Sequence, residues 1–204
     1  MIEVIPEQIA HSLKKMILKS ELQPGQCLDP EALAKKFQAS RAVVCEGLRQ
    51  LQEAGLVVYD GAKPIVADLN EIFDLQLLME PEALRLAVPN HTEELWLQAE
   101  KLLDEIDVAQ PDGPWLELNW QFHRLLYSTA NRPRLLAMIQ CLHGYGDQLA
   151  QYSMGIKDDA QIEHRKIMDA CKRRDVETAC KMLIEHINQR RRELFNRLTK
   201  QSYC

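Results

Sequence analysis

The chain has 204 residues, 46% hydrophobic and 27% charged, with a formal net charge of −5 at pH 7, which excludes a disordered chain and suits one large domain or two small ones. No apolar run approaches the roughly 20 residues that span a bilayer, and the first residues lack the apolar core of a signal peptide, so a cytoplasmic protein is expected. The acidic balance argues against indiscriminate nucleic-acid binding, while specific binding needs only a local patch that meets phosphates. In chain order, Ile9, Leu13, Ile17 and Leu18 recur at helical spacing, and this segment ends near Gln23-Pro24-Gly25. Asp29 stands as an N-cap before Pro30 and opens a short helix through Leu33 and Phe37. Ser40 caps a third helix, through Val44, Leu48 and Leu51 to Ala54, with Gly55 to stop it. Residues 56–59 and 64–66 then read as two strands around a tight turn at Asp60-Gly61. Three helices followed by a two-stranded wing predict a winged helix-turn-helix over residues 1–68, whose third helix fits a major groove about 12 Å wide.

Residues 69–204 are patterned almost wholly as helix. Six segments are predicted, near 70–87, 92–107, 114–130, 133–152, 159–173 and 175–198, punctuated by Pro89-Asn90, Pro111-Asp112-Gly113-Pro114, Asn131-Arg132-Pro133 and Arg174-Asp175. The fold class is therefore mainly α, a winged helix-turn-helix joined to an all-α bundle. The run Arg190-Arg191-Arg192 lies near the end of the last helix and reads as a solvated face that complements the macrodipole. Six scattered cysteines, with no C-x-x-C pair, read as reduced thiols, most of them small apolar fillers.

Asn119 and His123 share the inward face of their helix with Leu116, Leu126 and Ala130. His164 falls on a stripe with Ile167 and Cys171, and His186 on one with Ala179, Met182 and Leu183. Three imidazoles on three helices thus point towards one interior, and a shared cation is one way to satisfy them. His11, His91 and His143 have no such setting and read as structural or solvent-exposed.

The segment Leu33-Ala34-Lys35-Lys36-Phe37, continued by Ser40-Arg41-Ala42-Val43-Val44-Cys45-Glu46-Gly47, resembles the recognition-helix region of the GntR family of bacterial regulators. The second half is similar to the helical FCD domain of the FadR-like branch, in Gln121-Phe122-His123-Arg124-Leu125-Leu126, Ala130-Asn131-Arg132-Pro133, Glu163-His164-Arg165-Lys166 and Leu183-Ile184-Glu185-His186. The two resemblances cover nearly the whole chain in the order of that family. They imply a DNA-binding regulator, expected to be a repressor and a homodimer on a palindromic operator. Its affinity would be set by a small effector, with a carboxylate the first class to consider.

Residue by residue, the resemblance implies DNA contacts at Ser40 and Arg41, a phosphate contact at Arg49, and minor-groove or rim contacts at Gly61 and Lys63 in the wing. It implies a divalent metal, zinc, nickel or manganese, held by His123, His164 and His186, with Asn119 where the family has an acidic residue. Gln76 stands where many members carry a carboxylate-gripping arginine, so either the effector is neutral or another arginine, such as Arg134 or Arg85, reaches the pocket. Cys45 replaces an arginine that faces DNA, and residues 1–68 hold eight Lys and Arg against nine Asp and Glu. DNA binding weaker than the family's, or binding that requires a dimer, is therefore expected. An alternative is a metal or metabolite sensor whose DNA binding has weakened or been lost. A zinc-type hydrolase is a remoter alternative, since no general base accompanies the histidines, and a non-enzyme is expected.

Overall fold

The computed structural model describes residues 5–19, 21–109, 114–150 and 157–201, with side chains described outside 144–150, 157–159 and 197–201. Two compact units separate near the start of the fourth helix, one built on residues up to Glu71 and the other on Ile72–Arg197.

In the first unit, helices α1 (Pro6–Leu18), α2 (Pro30–Phe37) and α3 (Arg41–Glu53) precede strands β1 (Val57–Asp60) and β2 (Lys63–Val66). The starts of α2 and α3 are set locally: the Asp29 side chain accepts from the Glu31 amide at 3.0 Å, and the Ser40 hydroxyl from the Val43 amide at 3.3 Å. Gly55, at φ +69°, takes the left-handed conformation that ends α3, where the Leu56 amide returns to the Leu51 carbonyl. Helix α3 packs on α1 through Val44, Leu48 and Leu51 against Ile9, Leu13 and Ile17, all buried. β1 and β2 pair antiparallel with Asp60 opposite Lys63, and Gly61, at φ +59°, makes the two-residue turn possible. The sequence reading had no partner for the far side of β2. It is Cys27, bridged to Ile65, with backbone bonds from Gly25 to Val66 and from Leu28 to Pro64 on either side.

The second unit is helical: α4 (Leu69–Ala87), α5 (Glu93–Val108), α6 (Trp115–Tyr127), α7 (Pro133–Ala150), α8 (Lys157–Lys172) and α9 (Val176–Gln201). Helix α6 stops at Tyr127, before a separate 3-10 turn over Ser128–Ala130 and a left-handed Asn131 at φ 54°. Arg174, also left-handed, ends the loop after α8 and donates to the carbonyls of Val88, Pro89 and His91 at 2.7–2.8 Å. Helix α5 packs against α6 and α8, burying Leu103, Ile106, Phe122, Leu126 and Ile167. Among the described residues no helix is long and apolar enough to cross a membrane. The reading of most cysteines as core fillers needs correction: Cys171 and Cys180 are buried, Cys45 is half-buried, and Cys27 and Cys141 are exposed. Small and only weakly polar, a thiol carries no strong preference for the interior at a loop or helix surface.

Candidate functional site

His123 of α6, His164 of α8 and His186 of α9 are buried, and one nitrogen from each lies within 4.8 Å of the others. The hydrogen bonds around them fix which nitrogen carries the proton. His186 Nδ1 donates to Glu163 Oε2 at 2.7 Å. Gln161 spends its amide protons on Leu103 O and Asp107 Oδ1, so its Oε1, 2.9 Å from His164 Nδ1, must accept. Tyr127 donates its single hydroxyl proton to Glu80 Oε2 at 2.7 Å, so towards His123 Nδ1, 3.3 Å away, it can only accept. All three Nδ1 atoms thus carry hydrogen, and all three Nε2 lone pairs face inward. His123 Nε2 and His164 Nε2 are 3.2 Å apart with no proton to share, and His186 Nε2 has no partner among the described residues.

Burial first, and then neighbouring positive charge, pushes His123 and His164 well below the ordinary histidine range and His186 down to about 3. Neutral imidazoles converging through bare nitrogens, each held from behind by a fixed acceptor, form a donor set that fits a divalent transition metal. Asn119, one turn before His123, is buried on the same face, and its Nδ2 lacks a partner.

Two groups that the sequence reading did not select, Glu80 and His143, join this interior. Glu80 of α4 is 1% exposed, and His143 of α7 brings Nε2 to 3.1 Å from Glu80 Oε1. Burial raises the Glu80 carboxyl, but His143 and Tyr127 outweigh it and hold it below its usual range. The His143 ring lies 4.3 Å from the Trp120 ring centre and 5.6 Å from that of His123. His143 therefore belongs with the cluster. The signal was present in the i, i+4 steps Gln76–Glu80, His123–Tyr127 and Ile139–His143, which place each polar group on an apolar face. His91 Nε2 donates to the Leu126 carbonyl at 2.9 Å, and His11 is exposed.

Gln76 is buried one turn before Glu80. Arg134 is exposed in the first turn of α7, and Arg85 is exposed and ion-paired with Glu177 and Glu82. Neither arginine joins the histidines.

On the first unit, Ser40, Arg41, Arg49, Gly61 and Lys63 are all exposed. The two arginines are already engaged: Arg41 Nε is 3.0 Å from Glu31, and Arg49 pairs with Glu46 at 2.9 Å and with Glu53. Those hydrogen bonds and charges push the Arg49 guanidinium higher still, so it is always charged. Such exposed pairs are weak and exchange readily for phosphate.

Comparison with known proteins covers both units. The family model described as bacterial regulatory proteins, gntR family, matches residues 5–66, and that of the FCD domain matches residues 71–189. The chain is 26% identical over 194 residues to the HTH-type transcriptional regulator YdhC of Bacillus subtilis, covering 89% of this chain and 87% of that protein. It is 25% identical to the HTH-type transcriptional repressor NanR of Cronobacter sakazakii, covering 90% and 83%. Among solved structures, a GntR family member from Pseudomonas syringae pv. tomato superposes with a TM-score of 0.60 at 26% identity, over 96% of this chain and 85% of that one. Escherichia coli McbR/YncC shares the fold with a TM-score of 0.59 at 24% identity, over 96% and 99%. With both modules matched in order along one chain, this protein belongs to the GntR family of bacterial transcription regulators, in the FadR-like branch that joins a winged helix-turn-helix to an FCD domain.

Proposed function

We propose that the chain is a cytoplasmic transcription repressor that binds a palindromic operator as a homodimer through residues 1–68. In the same reading, residues 69–204 hold a small metabolite beside a divalent transition metal, and that ligand changes operator affinity. The observation that carries the sensing half is the convergence of three Nε2 lone pairs whose tautomers are fixed by Tyr127, Gln161 and Glu163. His123, His164 and His186 would hold the metal, with the amide oxygen of Asn119 beside them, and this imidazole set without thiolate suits zinc, nickel or manganese. When bound, such a metal supplies a Lewis-acidic anchor for an oxygen of the effector. The protein's own part is to keep the imidazoles neutral and oriented and to line the space beside them with Gln76. The exposed Arg134 has no part in this reading. Ser40 and Arg41 read base edges, Arg49 and Lys63 meet phosphate, and Gly61 lets the wing tip approach the minor groove.

The test is a pair of measurements on purified protein. In gel shifts with DNA upstream of its own coding region, Arg41→Ala should cost about 1–3 kcal/mol and relax base preference, whereas Lys63→Ala should weaken all sequences alike. Elemental analysis should find a divalent ion in the native protein and none in His164→Ala. Equal metal in both proteins sinks the metal site. An Arg41→Ala protein that binds its operator as the parent does sinks the recognition helix.

A second reading is favoured by one observation: both arginines of α3 are tied to carboxylates, and Cys45 stands between them. In this reading the chain senses its ligand and acts through protein contacts rather than DNA. Absence of any shift at low salt, with metal and ligand bound, decides for it.

A further inference from the structure

The two arginines of α3 are held by carboxylates in different ways. Arg49 is tied at all three guanidinium nitrogens, Nε and Nη2 by Glu46 and Nη1 by Glu53. It reaches a phosphate only by giving up one of those pairs. Arg41 makes one ion pair, its Nε standing 3.0 Å from Glu31 Oε1, and neither of its terminal nitrogens closes a hydrogen bond among the described residues. Both side chains of this pair are 65% exposed, so the fork formed by Nη1 and Nη2 is open to a partner outside the chain.

The backbone behind the pair is set locally. Glu31 is the second residue of α2, and its amide donates to the Asp29 cap at 3.0 Å. Arg41 is the first residue of α3, directly after Ser40, whose hydroxyl accepts from the Val43 amide at 3.3 Å. Helices α2 and α3 pack on each other, so two capped helix starts present a carboxylate and a guanidinium side by side. An arginine loses rotamer freedom on binding, and a partner at Nε restricts that freedom beforehand. In water an exposed pair of this kind contributes little to stability. In a groove from which water is displaced the same pair is stronger, because the effective dielectric is lower. The fork that remains matches one base: guanine offers two acceptors, O6 and N7, on its major-groove edge, whereas adenine sets a donor beside its N7. Glu31 also brings a negative charge to the face that meets phosphates, so it opposes binding to DNA of any sequence.

We propose that Glu31 is a specificity-determining residue of the DNA interface, bracing Arg41 through Nε so that Nη1 and Nη2 read a guanine in each half-site. This rests on the DNA-binding role proposed above and deepens it, naming the base and the residue that fixes its reader. Glu31 acts through Arg41 and is a positioning residue. An acidic residue in the first turn also suits the macrodipole of α2. That purely structural role predicts lost stability with base preference intact.

The test is binding-site selection by the full-length protein from a random duplex library, followed by gel shifts and melting curves. The wild type should enrich a guanine in each half-site, and Arg41→Ala should lose the preference for it. Glu31→Gln keeps the shape of the side chain and removes its charge. It should lower the preference for that guanine over adenine by about tenfold, the scale of one bidentate pair. Its affinity for an unrelated duplex should rise. Replacing the guanine by 7-deazaguanine, which lacks the N7 acceptor, should weaken the wild type and leave Arg41→Ala indifferent. Once Arg41 is alanine, Glu31→Gln should no longer alter base preference, since the two side chains act as one unit. An enriched operator on which Glu31→Gln keeps its full guanine preference, or weakens all sequences alike, overturns the proposal and leaves the regulator standing. So does an Arg41-dependent position that is not guanine. A library from which nothing is enriched overturns the operator-binding reading itself, and the proposal with it.

Discussion

At the scale of single residues, the histidine cluster depends on the groups behind it. Gln161 is committed on three sides, to Leu103 O, Asp107 and His164 Nδ1, so it holds both the tautomer and the ring plane of His164. Groups in that position typically change metal affinity 10–100-fold when removed. Gln161→Ala should therefore weaken zinc binding by about that factor in a chelator competition, although Gln161 touches no metal itself, and unchanged affinity would deny it the orienting role. The histidines also set a pH dependence. Burial and neighbouring charge hold His123, His164 and His186 below the unfolded value of 6.5, with His186 at about 3. The unfolded chain binds more protons in that window, so stability is full above pH 6.5 and falls as the pH drops towards the folded values. Each histidine contributes a slope of at most about 1.4 kcal/mol per pH unit. The metal-free protein should melt at a distinctly lower temperature at pH 5 than at pH 7, and a flat profile would mean that the three rings are not buried neutral. The three imidazoles were legible in the sequence because each lies on an apolar stripe. Glu80 and His143 lie on such stripes too, but periodicity says only that a residue points inward, not which inward residues from α4, α6 and α7 meet.

At the scale of elements, the parts written in local chemistry were legible and the long-range parts were not. Asp29-Pro30 and Ser40 mark helix starts because a cap acts within three residues, and Gly55 and Gly61 mark two of the left-handed positions. The Cys27–Ile65 bridge joins segments 38 residues apart and has no local signature. Gly47 shows the same limit within a helix. Helix propensity alone favours alanine there by about 1 kcal/mol. In the fold, however, a Cβ on Gly47 meets the Pro6 carbonyl oxygen at 3.0 Å and Ile9 Cβ and Cγ2 at 3.1 Å. The carbonyl belongs to the first turn of α1 and cannot swing aside as a side chain does. Gly47→Ala should therefore destabilise the first unit by about 1 kcal/mol or more, read as a lowered melting temperature. A raised one would show that α1 yields and propensity wins.

At the scale of the whole molecule, charge and connectivity frame what the regulator can do. A net charge of −5, with no basic excess in residues 1–68, leaves affinity to a few exposed cations. Operator binding should accordingly be salt-sensitive. The histidine cluster and Arg41 belong to separate compact units, so in the proposed regulator communication between them is a coupling of equilibria. A ligand shifts operator affinity only if it binds the DNA-competent and incompetent states unequally, and such couplings are typically about 5–150-fold. Linkage makes the effect reciprocal. The most direct measurement is calorimetric titration of the effector, once identified by its effect on the gel shift, into the protein alone and into its operator complex. The proposed regulator predicts that operator changes effector affinity by the same factor by which effector changes operator affinity. Equal effector affinities in the two titrations would contradict it.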